Sequence, residues 1–522
     1  MKHLKLLVFT SLISLSACTA TDLTPTNDLT KTAQTELAKR AGAPLFEGMG
    51  DYHRDITTMN LDAQKYFNQG MVLAFGFNHA ESIRSFKAAQ KLDPTCAMCY
   101  WGEALATGPN INVTSNGKAI MSEADRISAK AAIDRALELI DSATPLEKAL
   151  IEAQAKRYSS DPKSDRVPLD KAYAEAMGQV VAKYPEDNDT AAIYAESWMN
   201  TMPWDYWSDD GNPKADTVKV ITALEGILER KPDHPLALHL YIHATEASSN
   251  PGRAEDEADM LADLVPASGH LVHMPAHIYW RVGRYEDAAQ ANIRAAAVDE
   301  EYIAACNAQG FYPAAYYPHN IHFLWAAASM SGQSKLAIES AFKVADNVRL
   351  EQIEQFPTIE FFKTIPILSQ VQFAKWDDIL KSPQPPKKLD FSNAIWRYAR
   401  GVALARTGKP DLALLERMKI VGVKDSIQIN FLDSSDYPAG TLLNIADALL
   451  QGEIALAEDK LSTSIGHFEK AVELQETLPY TDTQPDNHWV PRNCKQENMR
   501  TRKRRIGLIW MHCHIMVGRC TD

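Results

Sequence analysis

The sequence predicts an all-α fold, an α-solenoid of stacked helix-turn-helix repeats, and three observations carry that expectation. Helix-turn-helix units with helical apolar spacing recur between 58 and 480. No alternating apolar run bounded by hairpin turns is present, so no sheet is expected. At 522 residues the chain is too long for one compact core, a limit that repeats escape because each unit packs only on its neighbours.

The first 17 residues read as a targeting segment outside the fold. Lys2 and Lys5 precede the apolar run Leu6–Leu15, which is too short to span a bilayer as a helix. The following Leu15-Ser16-Ala17-Cys18 resembles the lipobox of bacterial lipoproteins. That resemblance implies cleavage before Cys18 and lipid on its sulfur. With Thr19 next, it also implies an outer-membrane place in the bacterial cell envelope. An ordinary secretory signal cut at Ala17 is the alternative. Residues 18–57 are rich in Thr, Asp, Ala and Pro and read as a flexible tether.

The clearest repeat occupies 63–94, where Gly70, Ser82, Phe86, Ala89 and Pro94 recur at telling positions. Small residues let two antiparallel helices approach, the aromatic fills the gap, and proline ends the second helix. Gly283 with Ala288 and Ala295, Gly332 with Ala337, Gly401 and Gly408 with Ala413, and Gly452 with Phe468 and Ala471 repeat the pattern. These residues resemble the tetratricopeptide superfamily over most of 60–476. The resemblance implies an array whose first helices line a concave, ligand-binding groove.

Cys96-Ala97-Met98-Cys99 has redox spacing without a βαβ context, and Tyr100 stands where haem attachment needs histidine. A structural disulfide or two buried thiols at a helix start are expected instead. His79, at the start of a second helix, reads as a capping or packing residue. Trp198, Trp204 and Trp207, with Asp205, read as core or as a cover over one end of the groove.

The chemistry concentrates in the middle. Eight of the 15 histidines fall between 234 and 322. His239, His243 and Glu246 are spaced i, i+4, i+7; His270, His273 and His277 are spaced i, i+3, i+7; His319 and His322 are spaced i, i+3. Each set occupies one helix face. Counting back from Gly283 and Gly332, the family resemblance points these ridges into the groove. Adjacent helices about 8–10 Å apart let imidazoles about 2 Å from an ion share a transition metal: Cu, Zn or Fe. Glu246 is a candidate ligand or general base. Pro275 is expected to kink its helix.

Formal net charge is -13, which argues against nucleic acid as partner. The leading expectation is an envelope lipoprotein whose groove binds a protein or small-molecule ligand together with a transition metal. A metal-dependent hydrolase or oxidase and a metal-free scaffold are the alternatives. From 481 to 522 the repeats stop and KQENMRTRKRR appears, with Cys494, Cys513 and Cys520. This tail reads as a basic binding segment or as sequence foreign to the fold. Its Trp510–Met516 run resembles the His-Cys-His motif of multicopper oxidases but lacks the downstream histidine.

Overall fold

A computed structural model describes residues 35–478, apart from 209, 210, 307 and 309. Cys18, the leader and the tail's cysteines and WMHCHIM run lie outside the described residues. Residues 35–45 close a first unit, with a short helix over 35–41; the second unit starts at Phe46.

The second unit is an array of helices packed as successive antiparallel pairs. Its helices are α1 Leu61–Phe75, α2 His79–Leu92, α3 Ala97–Thr107, α4 Glu123–Glu138, α5 Pro145–Ala155, α6 Arg166–Lys183, α7 Asn188–Met199 and α8 Ala215–Arg230. Then come α9 Pro235–Glu246, α10 Glu255–Leu261, α11 Gly269–His273, α12 Pro275–Val282, α13 Tyr285–Cys306, α14 Tyr317–Met330 and α15 Ser334–Asn347. Short helices α16 Leu350–Gln355, α17 Ile365–Gln372 and α18 Trp376–Lys381 lead to α19 Asp390–Arg406, α20 Pro410–Val421, α21 Ile427–Ser434, α22 Ala439–Ala457 and α23 Leu461–Glu476. The exception to the all-α expectation is small. A two-residue ladder, Thr114–Ser115 against Lys118–Ala119, sits in the long α3–α4 loop.

The same contacts recur at both ends of the array. In α1–α2, Ser82 Oγ donates to the Gly70 carbonyl at 2.6 Å, and a Cβ on Gly70 would meet the Phe86 ring at 2.8 Å. In α22–α23, Ser464 Oγ donates to the Gly452 carbonyl at 2.8 Å, and a Cβ on Gly452 would meet Phe468 at 2.4 Å. Glycine thus sets how closely paired helices pack. Gly102 of α3 packs on the same ring as Gly70: a Cβ there would lie 2.3 Å from Phe86. Gly102→Ala is therefore expected to cost about 1–3 kcal/mol by overpacking, read as a lower midpoint in denaturant unfolding. At Gly283 and Gly332 the reason is different. Both have positive φ, 88° and 76°, and end their helices in the left-handed conformation.

Part of the expected tether is in fact bound to the solenoid. Arg54 pairs with Asp187 and Asp189 at 3.0 and 2.8 Å, and Thr57 donates to Glu147 at 2.6 Å. The composition of 46–57 is loop-like, but its polar groups find fixed partners, so a flexible tether reaching 57 is too long. The α3–α4 loop crosses to the far end of the array. There Gly117 N–H donates to Asp436 at 3.0 Å, and Asn112 donates to Tyr316 at 3.3 Å. Cys96 and Cys99 are joined as a disulfide at the start of α3.

Candidate metal centre

Three helix faces meet as their spacing suggested, but not in an open groove. His239 and His243 come from α9, His270 and His273 from α11, His277 from α12 and His319 from α14. All six are between 0% and 5% exposed. The α1–α2 turn closes over them from one side, placing Phe77 at positive φ, 55°, with its ring 4.5 Å from His239 and 5.4 Å from His270. Trp204, also at positive φ, 63°, sets its ring edgewise on His243 at 5.2 Å and donates Nε1–H to the Ile111 carbonyl. Such backbone outliers persist only where surrounding packing enforces them. Phe323 lies 4.6–5.4 Å from His277, His273 and His319. The expectation of an accessible histidine-lined groove is corrected: Phe77, Trp204 and Phe323 pack on the histidine rings, which are at most 5% exposed.

The six histidines form two triads, His239–His243–His270 and His273–His277–His319, with potential ligand atoms within 4.8 Å of one another in each. Pro275 separates α11 from α12, so His273 and His277 belong to different helical segments, yet their Nε2 atoms lie 2.8 Å apart. His319 Nε2 is 3.0 Å from His273 Nε2.

Hydrogen bonds behind the rings fix which nitrogen carries the proton. His273 Nδ1 faces Asn292 Oδ1 at 2.6 Å, and the Asn292 amide donates to the Ala288 carbonyl, so Oδ1 must accept. His277 Nδ1 faces one oxygen of Glu246 at 2.8 Å, and His243 Nδ1 faces the other at 2.9 Å. His239 Nδ1 faces the Phe75 carbonyl at 2.6 Å. Every one of these acceptors lacks a proton to give, so all four imidazoles donate from Nδ1 and turn Nε2 away from these acceptors. In the second triad the Nε2 atoms of His273 and His277 face each other at 2.8 Å, within reach of one shared cation. In the first triad the Nε2 atoms of His239 and His243 are buried without a hydrogen-bond partner, as are both ring nitrogens of His270, which is unusual for buried polar atoms. Histidine ligands with a carboxylate or carbonyl behind them have this arrangement.

Electrostatics keep the ligands in their binding form. Burial, followed by neighbouring imidazoles, holds His239, His270 and His319 well below the ordinary histidine value, and His273 shares that burial. They are neutral at physiological pH, as ligation requires. Burial alone would raise Glu246, but His277 and His243 outweigh it and hold the carboxyl well below the usual range. Both Glu246 oxygens face imidazole Nδ1 atoms, so the carboxylate orients His243 and His277.

His322 joins neither triad. It stacks on Trp325 at 5.3 Å and meets Phe361 and Phe362 edgewise at 5.4 and 5.6 Å. His79 Nδ1 donates to the Ala106 carbonyl at 2.6 Å, and burial pushes the ring down to about 4; it packs beside Phe77. Of the tryptophans, Trp204 touches a ligand ring, Trp207 donates to the Ala244 carbonyl at 2.8 Å, and Trp198 lies under Lys219. Asn292, Phe77 and the Phe75 carbonyl were not foreseen. Asn292 did leave a signal, a polar residue on the alanine-rich buried face of α13. Phe75 and Phe77 left none.

No protein-family model matches the chain, and no curated protein matches it. Among solved structures, the human IFIT1 dimer with m7Gppp-AAAA is similar at 14% identity and TM-score 0.37, covering 84% of this chain and 94% of that one. Yeast Tom70 is similar at 11% identity and TM-score 0.32, covering 80% and 86%. Cut9–Hcn1 of the APC/C is similar at 13% identity and TM-score 0.35, covering 86% and 79%.

Proposed function

We propose that this chain is a lipid-anchored solenoid of the bacterial cell envelope that binds two transition-metal ions, one in each histidine triad. The observation that carries it is the hydrogen-bonded orientation of four imidazoles, which leaves Nε2 to face the centre of two buried histidine triads. An all-nitrogen donor set suits copper or zinc and is poor for magnesium, calcium or manganese. Iron, usually held with carboxylates, fits less well because Glu246 is occupied at both oxygens. The helical array around the centre is a scaffold for a protein partner, with the metal ions tying its inner faces together.

Chelator-stripped protein titrated with Cu(I) or Zn(II) is expected to take up two ions. Binding to the folded state alone stabilises by about 4 kcal/mol per site at a thousandfold excess over Kd, so the melting temperature rises. His273→Ala with His277→Ala should leave one ion bound, in the first triad. Uptake of no metal by wild type sinks the reading in favour of a metal-free scaffold. The envelope anchor has its own test: Cys18→Ser is expected to move the protein into the soluble fraction or leave it uncleaved. A cleaved mutant retained in membranes would mean that lipid on Cys18 is not the anchor.

A further inference from the structure

We infer that the two triads form one dinuclear copper centre whose ligand is dioxygen, bound between two Cu(I) ions. The inference rests on the metal-binding reading above and adds the identity of the pair and of its substrate.

Four observations carry it. The triads are contiguous: the His243 and His277 rings are 5.6 Å apart and the His270 and His273 rings 5.8 Å apart. All six donors are imidazoles, and the nearby carboxylate, Glu246, is bonded through both oxygens to Nδ1–H groups. Charge then discriminates between metals. Two zinc ions would bring four positive charges into a buried site with one carboxylate, a costly imbalance. Two Cu(I) ions bring only two. Finally, the rings are at most 5% exposed and walled by Phe77, Trp204, Tyr316 and Phe323. That enclosure suits a ligand of two or three atoms and not an organic substrate.

Dioxygen satisfies the same charge argument after reaction. Each Cu(I) gives one electron, the O–O double bond becomes a single bond, and peroxide dianion bridges two Cu(II) ions. Four positive charges less two negative leave the centre at plus two, unchanged from the reduced state. No proton and no outside reductant is needed for binding, so release of dioxygen reverses it.

The test uses the full chain, stripped and then loaded without oxygen with two equivalents of Cu(I). Copper content is measured before oxygen is admitted. Failure to hold two Cu(I) overturns the metal-binding reading and this inference with it. With copper in place, the expected result is uptake of one dioxygen per two coppers, a strong new absorption band, no electron paramagnetic resonance signal from the coupled pair, and recovery of the reduced spectrum under argon. No uptake, or oxidation to two paramagnetic Cu(II) ions with free superoxide or hydrogen peroxide, overturns the dioxygen inference while leaving metal binding intact. His319→Ala removes one donor of the second triad. It should abolish the absorption band, whereas a wild-type band in that variant would count equally against a paired centre.

Discussion

Below pH 6.5 the metal-free protein is expected to lose folding stability steeply, at a rate set by buried histidines. His239, His270, His273 and His319 all have folded pKa values depressed far under the ordinary 6.5, first by burial and then by their neighbours. The sign follows from proton counting. Once the pH falls through the unfolded value, the unfolded chain binds protons that the folded chain refuses. Stability is therefore complete above pH 6.5 and declines as pH falls towards the folded values. Each withheld proton costs about 1.4 kcal/mol per pH unit, so four approach a slope of about 5.5 kcal/mol per unit well below the unfolded pKa. Glu246, also depressed, adds to the loss below the ordinary carboxylate range. Denaturant melts of stripped protein at pH 7.5, 6.5 and 5.5 check this. A flat profile between 7.5 and 5.5 would mean that water reaches these rings. Bound metal competes with the protons, so the metal-loaded protein should resist the same acid step.

The repeat chemistry was readable because it is local. Gly70, Ser82 and Phe86 lie within one hairpin, and their spacing alone dictates the close helix approach found there. The histidine ridges were readable for the same reason, since i, i+3 and i+4 spacing fixes a helix face. Which histidines meet in one triad was not, because that depends on contacts between segments far apart in the chain. His322 keeps the periodicity of His319, yet the aromatic pair Phe361–Phe362, arriving some forty residues later, claims its ring. The burial of the centre was equally hidden. It comes from a two-residue turn after α1, from the long loop that reaches Asp436, and from Trp204, none of which has a periodic signature. Glu246 shows what a local pattern leaves out. Its place on the ridge beside His243 is as the spacing indicated, but the second hydrogen bond, to His277, 31 residues away, depends on a long-range contact.

Glu246→Gln is therefore expected to disable one metal site and spare the other. Glutamine matches the size of glutamate but offers one acceptor oxygen and one donor NH2 group. In the native protein both carboxylate oxygens accept Nδ1–H, from His243 at 2.9 Å and from His277 at 2.8 Å. In the variant one of these rings must face the NH2 group and present a lone pair to it from Nδ1. Its proton then moves to Nε2, where the ion would bind, and that triad loses a donor. The other ring keeps its bond and its tautomer. Loss of such a support typically lowers metal affinity 10–100-fold, so the titration should resolve one site of wild-type affinity and one weakened by that factor. The asymmetry is what separates orientation from simple charge loss. Removing a negative charge beside both triads without changing a tautomer would weaken both sites together. Two sites weakened equally, or two retained at wild-type affinity, would show that Glu246 does not set the proton positions of His243 and His277.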